Sequence, residues 1–151
     1  MIGAFEGDLI RPLGLVTLYA AYAEGEIDEL LHALPAPEPF DEVKQQWQVG
    51  RKLAYARRLI RRMRASDLSG LRATLKDAPA LFKQRNDLVH GRLFSGGRLI
   101  SNRANVPVRQ VSADDILQLA ERIFRWKEQL WMHRCKHLLP LLLTLRERSD
   151  A

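Results

Sequence analysis

Apolar residues recur at a helical period along most of the chain, and the breaks in that period mark the expected elements. Leu13, Val16, Ala20, Ala23, Ile27, Leu31 and Leu34 fall on one stripe. They predict a first long helix over 8–34, with Pro12 in its first turn, where a missing N–H is harmless. Pro35, Pro37 and Pro39 cannot continue that helix and predict an extended connector. A second stripe of Val49, Leu53, Ala56, Ile60 and Met63 predicts a helix over 41–65, with Asp41 as its N-cap. The run 67–70 ends it, and a short helical segment follows to Lys76. Asp77, with Pro79 two residues on, predicts a fresh helix start. That helix runs to Gly91, expected there as a left-handed C-cap.

The pattern then changes. Residues 95–97 and 102–105 are turn-forming, while 98–101 and 106–111 read as extended, which predicts a small β-hairpin. Ser112 followed by Asp114 and Asp115 predicts the N-cap and acidic first turn of the last long helix. Ile116, Leu119, Ala120, Ile123, Leu130 and Leu138 mark its buried side. The expected fold class is mainly α: an up-and-down helical bundle of four to five helices, with a small β-hairpin before the last long helix. No repeat or linker divides the chain, so a single domain over 1–151 is expected.

Composition narrows the class. The 151 residues are 46% hydrophobic, enough for a real core. Cys135 is the only cysteine, which excludes an intramolecular disulfide and a Cys-rich zinc module. The first eight residues carry acids and no basic stretch, so they do not read as a signal peptide. The leucine-rich run 138–145 is broken by Pro140 and is too short to span a bilayer. A cytoplasmic protein without membrane contact is expected. The formal net charge of +6 favours an anionic partner, nucleic acid foremost.

Residues 85–90, R-N-D-L-V-H, carry the candidate chemistry. Leu81, Phe82, Leu88 and Val89 define an apolar stripe, and Arg85 falls near its middle. A guanidinium there needs a carboxylate partner, a subunit interface or a cleft for an anion, because burying it unpaired is costly. Glu24, at the edge of the first helix's stripe, is one such carboxylate. Asn86 and His90 share a face at i and i+4. Arg85 and His90 are about 140° apart on an ideal helix. For both to act on one substrate, the helix end must distort before Gly91 or a second copy must complete the site.

This arrangement resembles the R-x4–6-H motif of the HEPN superfamily, whose arginine is typically followed by a polar residue, here Asn86. The order of helices around the motif is similar too. The resemblance implies a small helical domain that dimerises and cuts RNA as a metal-independent endoribonuclease of toxin or defence type, with no cofactor. In that reading Arg85 stabilises phosphate, His90 is the general acid/base and Asn86 orients one of them. The implied partners are a second copy of the chain, RNA, and a cognate antitoxin or other partner protein. The competing reading is a non-catalytic HEPN-like interaction or dimerisation module, in which Arg85 is a structural ion-pair residue.

The remaining face of the second helix reads as basic, with Arg51, Lys52, Arg57, Arg58, Arg61, Arg62 and Arg64. It either tracks a phosphate backbone or stays solvated. Arg57, Arg58, Arg61, Arg62 and, beyond the motif, Arg92 are the RNA-contact candidates. No aromatic interleaving is expected on this face, so base stacking receives no support. His133 and His137 share a helix face, but Cys135 points away and no acidic ligand is near, so no metal site is expected. Trp47, Trp126 and Trp131 read as core or interface anchors, and Tyr19 and Tyr22 as packing residues of the first helix.

Overall fold

The computed structural model describes residues 4–94 and 96–151, with side chains from Leu9 onward. In chain order the elements are α1 (Ala4–Ala33), α2 (Glu42–Gln45), α3 (Val49–Met63), a 3-10 turn (Ser66–Leu68), α4 (Ser69–His90), β1 (Arg92–Leu93), β2 (Arg98–Ile100), β3 (Arg109–Gln110), α5 (Ala113–His133), a π turn (Arg134–Leu138) and α6 (Leu139–Asp150). The chain is mainly helical, with a small antiparallel sheet before the last long helix, as the periodicity predicts. No helix among the described residues is long and apolar enough to cross a membrane.

Several boundaries differ from expectation. Helix α1 is already formed at Ala4, so Pro12 lies inside it and is buried, not in its first turn. The expected helix over 41–65 is two pieces. Asp41 caps the first, accepting a bond from Lys44 N–H at 3.0 Å, but Gln48 is extended (φ −61°, ψ 149°) and breaks the run. At the other end Arg64 turns left-handed (φ 51°) and stops α3 at Met63. Asp77 is not an N-cap. Helix α4 runs unbroken through Pro79, because Leu71, Leu75 and Ala78 bury one continuous stripe that outweighs the single backbone bond proline removes.

Gly91 is not left-handed either; Gly97 is the described glycine with positive φ (81°). Gly91 N–H makes an ordinary helical bond to Asp87 O at 3.1 Å. Its lack of a side chain matters for another reason: a Cβ there would meet Asp87 O at 2.4 Å and Ile100 O at 2.8 Å. The strand is pressed directly against the end of the helix. The expected hairpin forms between β2 and β3, with Leu99 opposite Arg109, and β1 adds a third strand through Leu93 opposite Leu99. Ser95 of the expected 95–97 turn lies outside the described residues.

The start of α5 is a reciprocal cap. Asp115 N–H donates to Ser112 Oγ at 3.1 Å, and Ser112 N–H donates to Asp115 Oδ2 at 2.9 Å. That backbone donor holds the Asp115 carboxyl below the usual carboxylate range. The last helix continues past Pro140 because the π turn widens the backbone just before it, with Leu139 N–H bonding to Arg134 O.

Backbone packing divides the chain into two compact units, 1–23 with 80–125 and 24–79 with 126–151. In the first, Val16, Ala20, Phe82, Leu88, Leu99, Ile116 and Ile123 are buried. In the second, Ile27, Leu30, Leu53, Ile60, Leu71, Leu75 and Leu130 are buried. The second unit also encloses polar groups. Arg134 grips Glu26 through Nε at 2.6 Å and Nη2 at 3.4 Å, and Trp126 Nε1 donates to Thr74 O at 2.7 Å. Trp126 is thus a core anchor; Trp131 is exposed, which removes the core half of its expectation and leaves the interface half, and Tyr22 is exposed and does not pack as expected.

Candidate nucleic-acid surface and motif helix

The motif occupies the last turns of α4, in the first unit. Arg85 and Asn86 are half-buried, Leu88 is buried, and Val89 and His90 are exposed. Arg85 does sit on the buried stripe, with Cζ 5.6 Å from the Phe82 ring centroid, and it has further interactions besides, so it is not a free cation. The bond from Gly91 N–H to Asp87 O keeps α4 regular past His90. The divergence of about 140° between Arg85 and His90 therefore stands within one copy of the chain. Asn86 and His90 remain on one face.

Asp87, inside the same six residues, has a partner that the sequence did not reveal. Arg103 donates to it twice, from Nε at 2.9 Å and Nη2 at 2.6 Å, a fork that ties the loop after β2 to the motif helix. The two residues are far apart in sequence, and Arg103 lies in a turn-forming run with no periodic signal. Beside this pair is a small cavity of about 130 Å³ lined by Asp87, Leu99, Ser101, Val106, Pro107 and Arg109. A larger cleft of about 310 Å³ follows Gln84 and Leu88 on α4 toward Arg109 and Arg122, with Arg122 Nη2 donating to Gln84 Oε1 at 2.6 Å. His90 lines neither of these two cavities.

The basic candidates separate. Arg57, Arg58, Arg61 and Arg62 are exposed on α3 in the second unit, whereas Arg92 is exposed on β1 in the first. Helix α3 contains no acidic residue, and among the described residues Arg51, Arg57, Arg58, Arg61 and Arg62 form no ion pair. Lys52 departs from its expected place on this face. It is buried and holds Asp28 at 2.7 Å, because its position on the helix turns it inward beside Leu53.

The expectation of no aromatic interleaving is also overturned. Trp47 sits in the break between α2 and α3, and Tyr55 is four residues past Arg51. Their rings meet edge to face at 5.5 Å, Arg51 Cζ lies 3.9 Å from the Trp47 centroid, and Arg58 Cζ lies 5.4 Å from that of Tyr55. The signal in the sequence is the i, i+4 spacing of Trp47, Arg51 and Tyr55, which places all three on one helical face.

His133 and His137 pack with ring centroids 5.3 Å apart, and Cys135 is half-buried. Burial, and secondarily His137, push the His133 imidazole below its ordinary value. Among the described residues no group of three His, Cys, Asp or Glu side chains is placed to hold a metal ion.

No family model matches this sequence, and no curated protein or solved structure matches it.

Proposed function

We propose that this chain is a HEPN-like, RNA-binding protein that acts as a homodimer and cleaves RNA without a metal ion. The observation that carries the RNA-binding half is the outer face of α3, where exposed arginines stand without an acidic residue in the helix to neutralise them. Fixed positive charge of this kind attracts a polyanion and gains from counterion release. Arg57, Arg58, Arg61 and Arg62 supply it, and Arg92 is a separate contact.

The cleavage half rests on the motif resemblance and on its geometry. Because α4 stays regular, Arg85 and His90 of one copy diverge, and a shared site requires a second motif helix. Two copies of His90 then supply the proton acceptor and the proton donor. One takes the 2′-hydroxyl proton as that oxygen attacks phosphorus; the other protonates the departing 5′-oxygen, leaving a 2′,3′-cyclic phosphate. Arg85 stabilises the charge that builds on the phosphoryl oxygens.

The test is cleavage of a fluorescent RNA in excess EDTA, with light scattering to read the oligomer. His90→Ala is expected to abolish cleavage while the dimer persists, and Arg85→Lys to lower the rate by about 10²-fold through loss of the planar fork. A monomer at all concentrations, or no cut RNA with any partner, refutes the cleavage half. One observation favours the second reading, a non-catalytic HEPN-like interaction module: His90 lines neither of the two cavities described above, and Asp87 gives the motif helix a structural partner. In that reading RNA binding survives and His90→Ala changes nothing.

A further inference from the structure

Aromatic and guanidinium groups alternate along one row of α3. At 100° per residue, Arg51, Tyr55, Arg58 and Arg62 fall within about 60° of one another. Trp47, just before the helix, extends the row at its N-terminal end. Each of the first two arginines lies over a ring: Arg51 Cζ is 3.9 Å from the Trp47 centroid and Arg58 Cζ is 5.4 Å from that of Tyr55. Both rings are half-buried, while the arginines over them are exposed.

We infer that this row is a binding track for single-stranded RNA, an inference that rests on the RNA-binding reading above and adds the strand class to it. The chemistry selects an unpaired strand. A guanidinium seated on Trp47 offers its outer face to a base, and the Tyr55 ring offers a second plane. In a duplex the bases are already stacked on each other and reach neither. Arg58 and Arg62, one turn apart, are separated by about 6 Å along the helix axis, a spacing suited to neighbouring phosphates of an extended strand. An acidic protein surface would match the charge but would leave both rings without anything to stack on.

The inference is tested by fluorescence anisotropy with a 2′-O-methyl oligouridylate of about 12 nucleotides, which binds without being cut. Its duplex and polyglutamate serve as competitors. The single strand is expected to bind at least tenfold tighter than either. Arg51→Lys keeps the charge and removes the planar group; it and Tyr55→Leu are each expected to weaken binding about tenfold with the salt slope unchanged. Arg62→Ala is expected to reduce the slope by about 0.7. Circular dichroism of Arg51→Lys, a change at an exposed position, guards against misfolding. Equal affinity for duplex, tighter binding of polyglutamate, or full affinity in both Arg51→Lys and Tyr55→Leu overturns the track while leaving RNA binding intact. No binding of either strand at low salt overturns the RNA-binding reading along with it.

Discussion

Gly91 shows how a single residue sets the position of the motif. Its backbone is ordinary, and its importance lies in what surrounds it: carbonyl oxygens of Asp87 and Ile100 stand where a Cβ would go. Neither is the end of a flexible side chain, so Gly91→Ala must push β2 away from the end of α4. The expected cost is about 1–3 kcal/mol in urea denaturation, with the m-value unchanged. Gly96→Ala, where a Cβ meets nothing within 4 Å, is the control and should be near neutral. Equal midpoints for the two variants would remove the close approach as an explanation.

At the scale of elements, the Asp87–Arg103 fork joins α4 to the loop between β2 and β3. Asp87 is well shielded, but Arg103 keeps 42% of its side-chain surface exposed, so solvent screens the pair. A double-mutant cycle of Asp87→Asn and Arg103→Gln should give a coupling energy of about 1 kcal/mol. Hydrogen exchange should reveal more than stability does, because losing the fork frees the loop over 101–108 without unfolding α4. If protection in that loop is unchanged in Arg103→Gln, the fork is incidental to the loop's order. The π turn before α6 and the break before α3 belong to the same scale. Each is a local departure from α geometry inside a run whose periodicity reads as a single helix.

Across the whole molecule, stability should vary with pH through His133. Its folded-state pKa lies below the ordinary 6.5, so the unfolded chain takes up the proton first as pH falls. Above 6.5 the imidazole is neutral in both states and costs nothing. Stability is lost as pH drops through 6.5 and levels off below the folded pKa. Urea midpoints between about pH 5 and 7.5 should therefore fall with acid in the wild type and fall less in His133→Gln. Asp41 and Asp115 do not confuse this comparison. Their carboxyls are held low by the backbone N–H groups of Lys44 and Ser112, so they are ionised in both states over that interval, and their contribution is lost only below about 3.8. An identical slope in His133→Gln would show that another group controls the acid response.

The mainly helical class, the first and last long helices, the N-cap at Ser112 and the β2–β3 pairing were legible in the sequence. They depend on local periodicity, side-chain caps and turn chemistry, which act over a few residues. The anomaly of Arg85 was legible for the same reason: a cation on an apolar stripe is visible on a helical wheel. Tertiary structure decided everything that required distant backbone to meet. It carried α4 through Pro79, buried Lys52 against Asp28, gave Asp87 its arginine and made Gly91 a contact residue. The seat of Arg51 on Trp47 is local by contrast, since the two stand at i and i+4. Burial of a continuous stripe outweighs one missing hydrogen bond, and the partner of a charged group is set by which residues the fold brings near, not by their spacing along the chain.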